Sequence, residues 1–182
     1  MRKENKVAKK VAVTTMSAAM MLSAAAPAFA GAGSPSDAAK AYTQLNKFRT
    51  ERGVSYWNQG NKSKTKLNTN RDNKLKPLKR DARLEAVAKK RAKEIFKRFG
   101  HTRPNGSSWY TAYPNLPVRG ENIAMGTSLT AAEATNLWKA TDKKYRGQGH
   151  RRVMLSSSFN AVGIASYKLN GNTYWVQCFG KV

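Results

Sequence analysis

The sequence predicts an α+β domain in which three amphipathic helices precede a C-terminal antiparallel hairpin. Apolar residues recur at helical spacing in three segments, and each segment starts with a residue type that caps helices. Two runs with the composition of strands then flank an Asn-Gly pair, which is the strongest short-range signal for a hairpin. The chain contains no internal repeat.

The N-terminal segment has the pattern of a secretory signal peptide. Residues 1–10 carry five basic groups and one Glu, residues 11–30 carry no charge, and Ala28-Phe29-Ala30 is an Ala-x-Ala cleavage pattern. Twenty uncharged residues could also anchor the chain in a membrane, but their Ser, Thr, Ala and Pro content is poorly hydrophobic. We therefore expect residues 1–30 to be cleaved, which leaves residues 31–182 as a single domain without a transmembrane segment.

The first helix is predicted to begin at Ser34-Pro35-Ser36-Asp37, which supplies an N-cap and first-turn residues, and to end at Gly53. Residues 58–80 then hold only isolated leucines among Asn, Lys, Ser and Thr, with eight basic residues against one Asp. Such a composition predicts a long, exposed, basic and flexible loop. The apolar positions of the first helix are Ala38, Ala41, Tyr42, Leu45 and Phe48.

The second and third helices each start at a capping residue. Asp81 caps the second helix, which carries an apolar stripe for packing on a core and stops at Gly100. The third begins at Thr130-Ala131-Ala132-Glu133, a capping box in which the Thr side chain accepts from the amide of Glu133. The stripe of the second helix consists of Leu84, Val87, Ala88, Arg91, Ala92, Ile95 and Phe99.

The remaining segments are irregular or strand-forming. Residues 102–119 are rich in turn-forming and aromatic residues, so we expect an irregular excursion with at most one short strand. Residues 161–168 and 173–179 are predicted strands joined through Asn170-Gly171. Cys178, the only cysteine, cannot form an internal disulfide, and its apolar neighbours indicate a buried structural thiol rather than a nucleophile.

Both histidines of the chain follow a glycine beside a predicted helix end, and an acidic motif lies between them in the sequence. Imidazole is a common ligand for transition metals, and a nearby carboxylate can orient its second nitrogen or supply a third ligand. Alternatively, each histidine only satisfies backbone groups at a helix end. The three motifs are Phe99-Gly100-His101-Thr102-Arg103-Pro104-Asn105-Gly106, Gly120-Glu121-Asn122-Ile123-Ala124 and Gly147-Gln148-Gly149-His150-Arg151-Arg152-Val153-Met154-Leu155.

In this order, and together with Asn46-Lys47-Phe48-Arg49 in the first helix, the motifs resemble the bacterial branch of the CAP (SCP-like) superfamily. These are the relatives of cysteine-rich secretory, antigen-type and pathogenesis-related proteins, and the resemblance covers roughly residues 36–182. It implies a three-layer α-β-α sandwich that ends in the hairpin, and a ligand-binding cleft that gathers His101, Glu121 and His150.

The resemblance also bears on metal binding and catalysis. A cleft of two histidines and Glu121 would bind a divalent transition metal, with Zn2+ the natural candidate and His101, His150 and Glu121 as its ligands. The second acidic residue of the family does not map, because Thr141 stands three residues after Trp138. A mechanism that needs a paired general acid and base is therefore in doubt. The chain also lacks the His-Glu-x-x-His, Gly-x-Ser-x-Gly and P-loop patterns.

The chain is strongly basic, with a net charge of +24, of which +20 belongs to residues 31–182 and +11 to residues 62–98. A run of charge usually only solvates a surface. At this density, however, the protein would also be attracted to anionic wall polymers, lipid headgroups or other polyanions. No motif that reads DNA sequence is present. The predicted basic surface consists of Lys62, Lys64, Lys66, Lys74 and Lys76.

Three functions remain open at this stage. The first, which we favour, is a secreted, monomeric ligand-binding or interaction module, either extracellular or associated with the cell wall. The second is a secreted hydrolase that acts on a peptide or wall substrate through the same cleft. The third is a binder of polyanions or nucleic acid through the basic surface. We assign no enzymatic activity, because no complete catalytic pattern is present.

Overall fold

A computed structural model describes residues 31–182, and the predicted signal peptide in residues 1–30 lies outside them. The helices are α1 (Pro35–Thr50), α2 (Ala82–Lys97), α3 (Ala131–Lys139) and α4 (Gly149–Met154). The strands are β1 (Gly31–Ala32), β2 (Ser55–Trp57), β3 (Lys64–Lys66), β4 (Lys79–Arg80), β5 (Arg119–Thr127), β6 (Ala161–Leu169) and β7 (Asn172–Gly180). Within the described residues, none of the helices has the length and apolar content needed to span a bilayer.

The main sheet runs in the order β1-β6-β7-β5, all antiparallel, and β4 pairs with β6 in parallel. The tight turn between β6 and β7 places Asn170 at φ 50° and Gly171 at φ 71°. Two successive positive φ angles define the turn type that Asn-Gly favours, because its twist matches the flanking strands. The predicted C-terminal hairpin is therefore confirmed.

Helices cover both faces of the main sheet. α1, α3 and α4 share one core cluster with residues of β5, β6 and β7, while α2 packs on the opposite face. Successive side chains of β7 point to opposite faces of the sheet and so contribute to both cores. Trp175 and Phe179 lie on the α1 side, whereas Val176 and Cys178 lie on the α2 side. The predicted three-layer α-β-α sandwich is confirmed.

The predicted helix starts are also present. The Ser34 hydroxyl accepts from the amide of Ser36 at 3.1 Å at the start of α1. The Asp81 carboxylate caps α2 by accepting from two backbone amides. In α3 the amide of Glu133 donates to Thr130 Oγ1 at 3.3 Å and the amide of Thr130 donates to the Glu133 carboxylate at 2.9 Å. Each cap acts within four residues, which is why the sequence alone identifies it.

Residues 58–80 differ from the long exposed loop that their composition predicts. β2 and β3 form a small antiparallel hairpin, and β4 joins the edge of the main sheet. The leucines are the cause, because Leu75 and Leu78 are buried in the core cluster under α1. The Leu78 amide donates to Asn46 Oδ1 at 2.8 Å, which ties the segment to that helix. The five lysines of the predicted basic surface are exposed, as expected.

β5 is a nine-residue strand that the turn-rich, polar sequence around it did not indicate. It pairs with β7 along its whole length, from Arg119 opposite Gly180 to Thr127 opposite Asn172. The polar residues at its start are buried because other side chains hydrogen-bond them, not because their own composition favours a strand. The formation and burial of β5 thus depend on segments that are distant in the sequence.

Asn68 organises the segment after β3, and we expect its replacement by Ala to lower the free energy of unfolding by about 3 kcal/mol. Its amide donates to the carbonyls of Arg49 at 2.7 Å and Glu51 at 2.8 Å, and its oxygen accepts from the Leu75 amide at 2.7 Å. Its φ of 56° also favours Asn over Ala. Urea denaturation would measure the loss. The exposed Asn70→Ala is the control, and equal stability of the two variants would contradict the prediction.

Candidate functional site

The buried carboxylate of Glu121 is the centre of the candidate site. Glu121 lies at the start of β5 and shares the α2 side of the sheet. Arg91 of α2 donates from Nε to Oε2 at 2.7 Å and from Nη2 to Oε1 at 3.1 Å, and both side chains are 0% exposed. His101 Nδ1 also approaches Oε1 at 2.9 Å. Both carboxylate oxygens are therefore already in use.

Arg91 links this carboxylate to the loop that carries His101. Its Nη1 donates to Glu94 at 2.8 Å, and its Nη2 also donates to the carbonyl of Gly100 at 2.9 Å. Arg103 closes the network by donating to Glu94 at 2.7 Å. Burial alone would raise the pKa of Glu94, but the hydrogen bonds from Arg103 and Arg91 outweigh it and lower that pKa. The network holds the end of α2, the following loop and β5 in one arrangement.

His101 is half-exposed and oriented by its contact with Glu121. A carboxylate only accepts hydrogen bonds, so in the neutral ring Nδ1 is the donor and Nε2 carries the lone pair. Among residues 31–182, no group hydrogen-bonds Nε2. The His101 carbonyl accepts from the amide of Trp109 at 2.9 Å, and the two rings pack edge to face at 6.4 Å. A histidine fixed at Nδ1 with a free Nε2 is the arrangement found in metal-binding imidazoles.

His150 is the second residue of α4 and is half-buried. Burial lowers its pKa to about 4, and electrostatic repulsion from a protonated His101 ring acts in the same direction. The ring is therefore neutral at physiological pH and can act as a ligand. The His150 carbonyl accepts from Asn122 Nδ2 at 3.2 Å, which connects α4 to β5. The structure brings His101 into contact with Glu121 and places His150 within electrostatic range of His101.

A pair of buried amides lies beside α4. Asn122 Nδ2 donates to Gln177 Oε1 at 3.1 Å, and both residues are 0% exposed. Asn122 Oδ1 and Gln177 Nε2 have no hydrogen-bond partner among the described residues. An unpaired buried polar group costs about 1–3 kcal/mol, so a water molecule or a ligand group that bonded these atoms would be stabilised there.

Sequence motifs alone do not identify Arg91 as part of this site, although one signal was available. Arg91 occupies a position on the apolar stripe of α2, where a charge must be buried. Buried charges in folded proteins are paired, so such a position indicates an acidic partner elsewhere. The partner, Glu121, is thirty residues away in the sequence, and only the fold shows which carboxylate it is.

The donor set fits a metal less directly than the sequence predicts. Within residues 31–182, no group of three or more His, Cys, Asp and Glu side chains is arranged to hold a metal ion. Glu121 is unsuited as a direct ligand because Arg91 and His101 occupy its oxygens. What the site offers is Nε2 of His101, oriented by Glu121, together with the neutral ring of His150.

The pKa of His150 predicts an acid-sensitive contribution to stability. The unfolded chain binds a proton near pH 6.5 and the folded chain only near pH 4, so stability is lost as the pH falls through this window. Between pH 7.5 and 5 we expect wild type to lose on the order of 2 kcal/mol more than His150→Gln. Denaturation in the presence of a chelator would measure this. Equal pH dependence of both proteins would contradict the assignment.

Comparison with known proteins places the fold in a family. No curated protein matches the chain. An outer surface protein from Borrelia burgdorferi is similar, with a TM-score of 0.60 and 17% identity over 84% of this chain and 98% of that chain. The structure of NaASP2 with Zn2+ gives a TM-score of 0.58 and 20% identity over 81% of this chain and 84% of that chain.

A cysteine-rich secretory protein from Staphylococcus aureus gives a TM-score of 0.50 and 17% identity, over 81% of this chain and 39% of that chain. Identities this low show a shared fold and no more. The family model for the CAP, or cysteine-rich secretory protein, family matches residues 42–179, a span that holds all three site residues. On that match, the chain belongs to the CAP family.

Proposed function

We propose that this protein is an exported ligand-binding module whose cleft is centred on His101 and His150. The contact between His101 Nδ1 and the buried Glu121 carboxylate supports the proposal most directly. That contact needs a buried carboxylate, and Arg91 stabilises its charge. Maintaining such a network costs desolvation energy, which is typical of a functional site rather than of simple packing.

The same geometry supports binding of a divalent transition metal by the two imidazoles. Glu121 orients His101 through Nδ1 and leaves Nε2 for the metal, and the low pKa of His150 keeps that ring neutral at physiological pH. A protein of the same fold, NaASP2, has been crystallised with Zn2+. Zn2+ in this cleft would polarise an oxygen of a bound ligand or water. With two protein ligands, its affinity would be modest.

Calorimetric titration with ZnCl2 tests the metal site. We expect wild type to bind one equivalent and a His101→Ala, His150→Ala double variant to bind none, because residues 31–182 hold no other cluster of metal-ligating side chains. Glu121→Gln should weaken binding by roughly 10–100-fold, the usual cost of losing a group that orients a ligand. Circular dichroism would verify that each variant is folded. Undiminished zinc binding by the folded double variant would place the metal elsewhere.

The structure favours binding over hydrolysis at this cleft. The thiol of Cys178 is fully buried, and burial raises its pKa, so it cannot serve as a nucleophile for the histidines. Both oxygens of Glu121 are already hydrogen-bonded to Arg91 and His101, so neither is directed at a substrate. A peptide or wall substrate turned over by wild type but not by His101→Ala would favour the hydrolase instead.

The basic surface supports retention at the cell envelope after export. Residues 31–182 carry a net charge of +20, and Lys62, Lys64, Lys66, Lys74 and Lys76 are all exposed. Attraction between exposed charges and an anionic envelope is screened over about 8 Å at physiological ionic strength. Retention of this kind would weaken as salt rises, and it would be independent of the histidine cleft.

A further inference from the structure

A groove of about 570 Å³ lies between the end of α1 and the segment that follows β3. It is separate from the histidine cleft, because its walls come from Thr50, Arg52, the four consecutive residues 68–71, Lys74 and Leu75. Three basic side chains, Arg52, Arg71 and Lys74, line it. Only one apolar side chain, Leu75, contributes to the lining, and Leu75 itself is buried in the core.

The positive charges in this groove form no salt bridge within residues 31–182. Among the described residues, no carboxylate lies within salt-bridge distance of Arg52, Arg71 or Lys74. The acidic neighbours in the sequence, Glu51 and Asp72, do not line the groove. By contrast, Arg91 and Arg103 at the histidine site each bind a carboxylate. Three unpaired cations on one concave surface attract an anion.

Hydrogen bonds hold the groove in one shape. Asn68 binds two carbonyls at the end of α1 and the Leu75 amide, which joins the two walls. Asn73 Oδ1 accepts from the amides of Thr69 at 3.2 Å and Asn70 at 3.4 Å, and its Nδ2 donates to the Lys66 carbonyl at 2.9 Å. A site whose backbone is already ordered loses little conformational entropy when a ligand binds.

The lining indicates the chemistry of the anion. Guanidinium groups match the oxygens of a phosphate, and the side chains of Thr69 and Asn70 can bond hydroxyl groups. The lining contains no aromatic side chain on which a nucleic-acid base could stack. We propose that this groove binds the phosphodiester of a polyol-phosphate wall polymer. The proposal rests on the retention at the envelope described above and gives it a defined site.

Two variants that remove the same number of charges distinguish binding at a specific site from attraction by the overall charge. The groove variant is Arg52→Gln, Arg71→Gln, Lys74→Gln, and the control is Lys89→Gln, Lys90→Gln, Lys93→Gln on α2. Each removes three positive charges, and all six side chains are exposed. Binding of soluble poly(glycerol phosphate) would be measured by calorimetry at fixed salt. We expect the groove variant to lose roughly tenfold or more in affinity relative to the control.

Several outcomes would overturn the site. Equal losses of affinity in the two variants would show that only net charge matters. The protein would then still be retained by its charge, but the groove would not be a specific binding site. Tighter binding of single-stranded DNA at matched charge would overturn the ligand class. If the groove bound phosphatidylglycerol vesicles but not the polymer, its phosphate ligand would be a lipid headgroup, and the polymer proposal would be wrong. The His101→Ala, His150→Ala protein should bind the polymer like wild type, which separates this test from that of the cleft.

Discussion

Replacing Arg91 with Met is expected to lower the free energy of unfolding by about 3–5 kcal/mol, because it leaves Glu121 charged and buried without its partner. Arg91 makes two hydrogen bonds to Glu121 and also binds Glu94 and the carbonyl of Gly100. Its own burial opposes the charge, yet the two carboxylates raise its pKa above the ordinary arginine value. The loss would be measured by urea denaturation at neutral pH.

Two further variants make this prediction specific. Arg83→Met removes an arginine of the same helix whose partner, Asp81, is near the surface, and it should cost less than about 1 kcal/mol. Combining Arg91→Met with Glu121→Met removes both buried charges, so the double variant should be more stable than the sum of the single losses implies. An Arg91→Met protein as stable as wild type would show that the ion pair is not important for folding.

Replacing Gly163 with Ala is expected to cost more than about 3 kcal/mol, because α2 contacts β6 directly at this glycine. A Cβ at position 163 would lie 2.0 Å from the backbone carbon of Leu84 and 2.2 Å from the backbone nitrogen of Glu85. Backbone atoms cannot move aside as a flexible side chain can. The helix would have to separate from the sheet, so we expect a lower melting temperature and weaker near-ultraviolet circular dichroism.

Gly149→Ala is the matched control for this substitution. A Cβ at Gly149 meets no atom within 4 Å, and the residue already has helical backbone angles. Ala has the higher helix propensity, so the control should be neutral or more stable by up to about 1 kcal/mol. If Gly163→Ala had the same melting temperature as Gly149→Ala, the close approach of α2 to β6 would be refuted.

Local signals explain which parts of the fold were predictable. The caps at Ser34, Asp81 and Thr130 and the turn at Asn170-Gly171 act within four residues, so the sequence identifies each. Order and spacing of the motifs were enough to indicate the CAP family, which the match to residues 42–179 confirmed. The same motifs named His101, Glu121 and His150 as the candidate site.

The sequence alone predicted α1, α2 and α3, the hairpin and the family, and it named the residues of the candidate site. Only the tertiary structure decided what each does, because the deciding contacts join residues far apart in the chain. Leu78 became a core residue by packing under α1, thirty-two residues from its partner Asn46. Glu121 became an orienting group rather than a free ligand because Arg91, thirty residues earlier, occupies its oxygens. Periodicity and capping report on neighbours within a few residues, whereas the pairing of a buried charge depends on which distant segments the fold brings together.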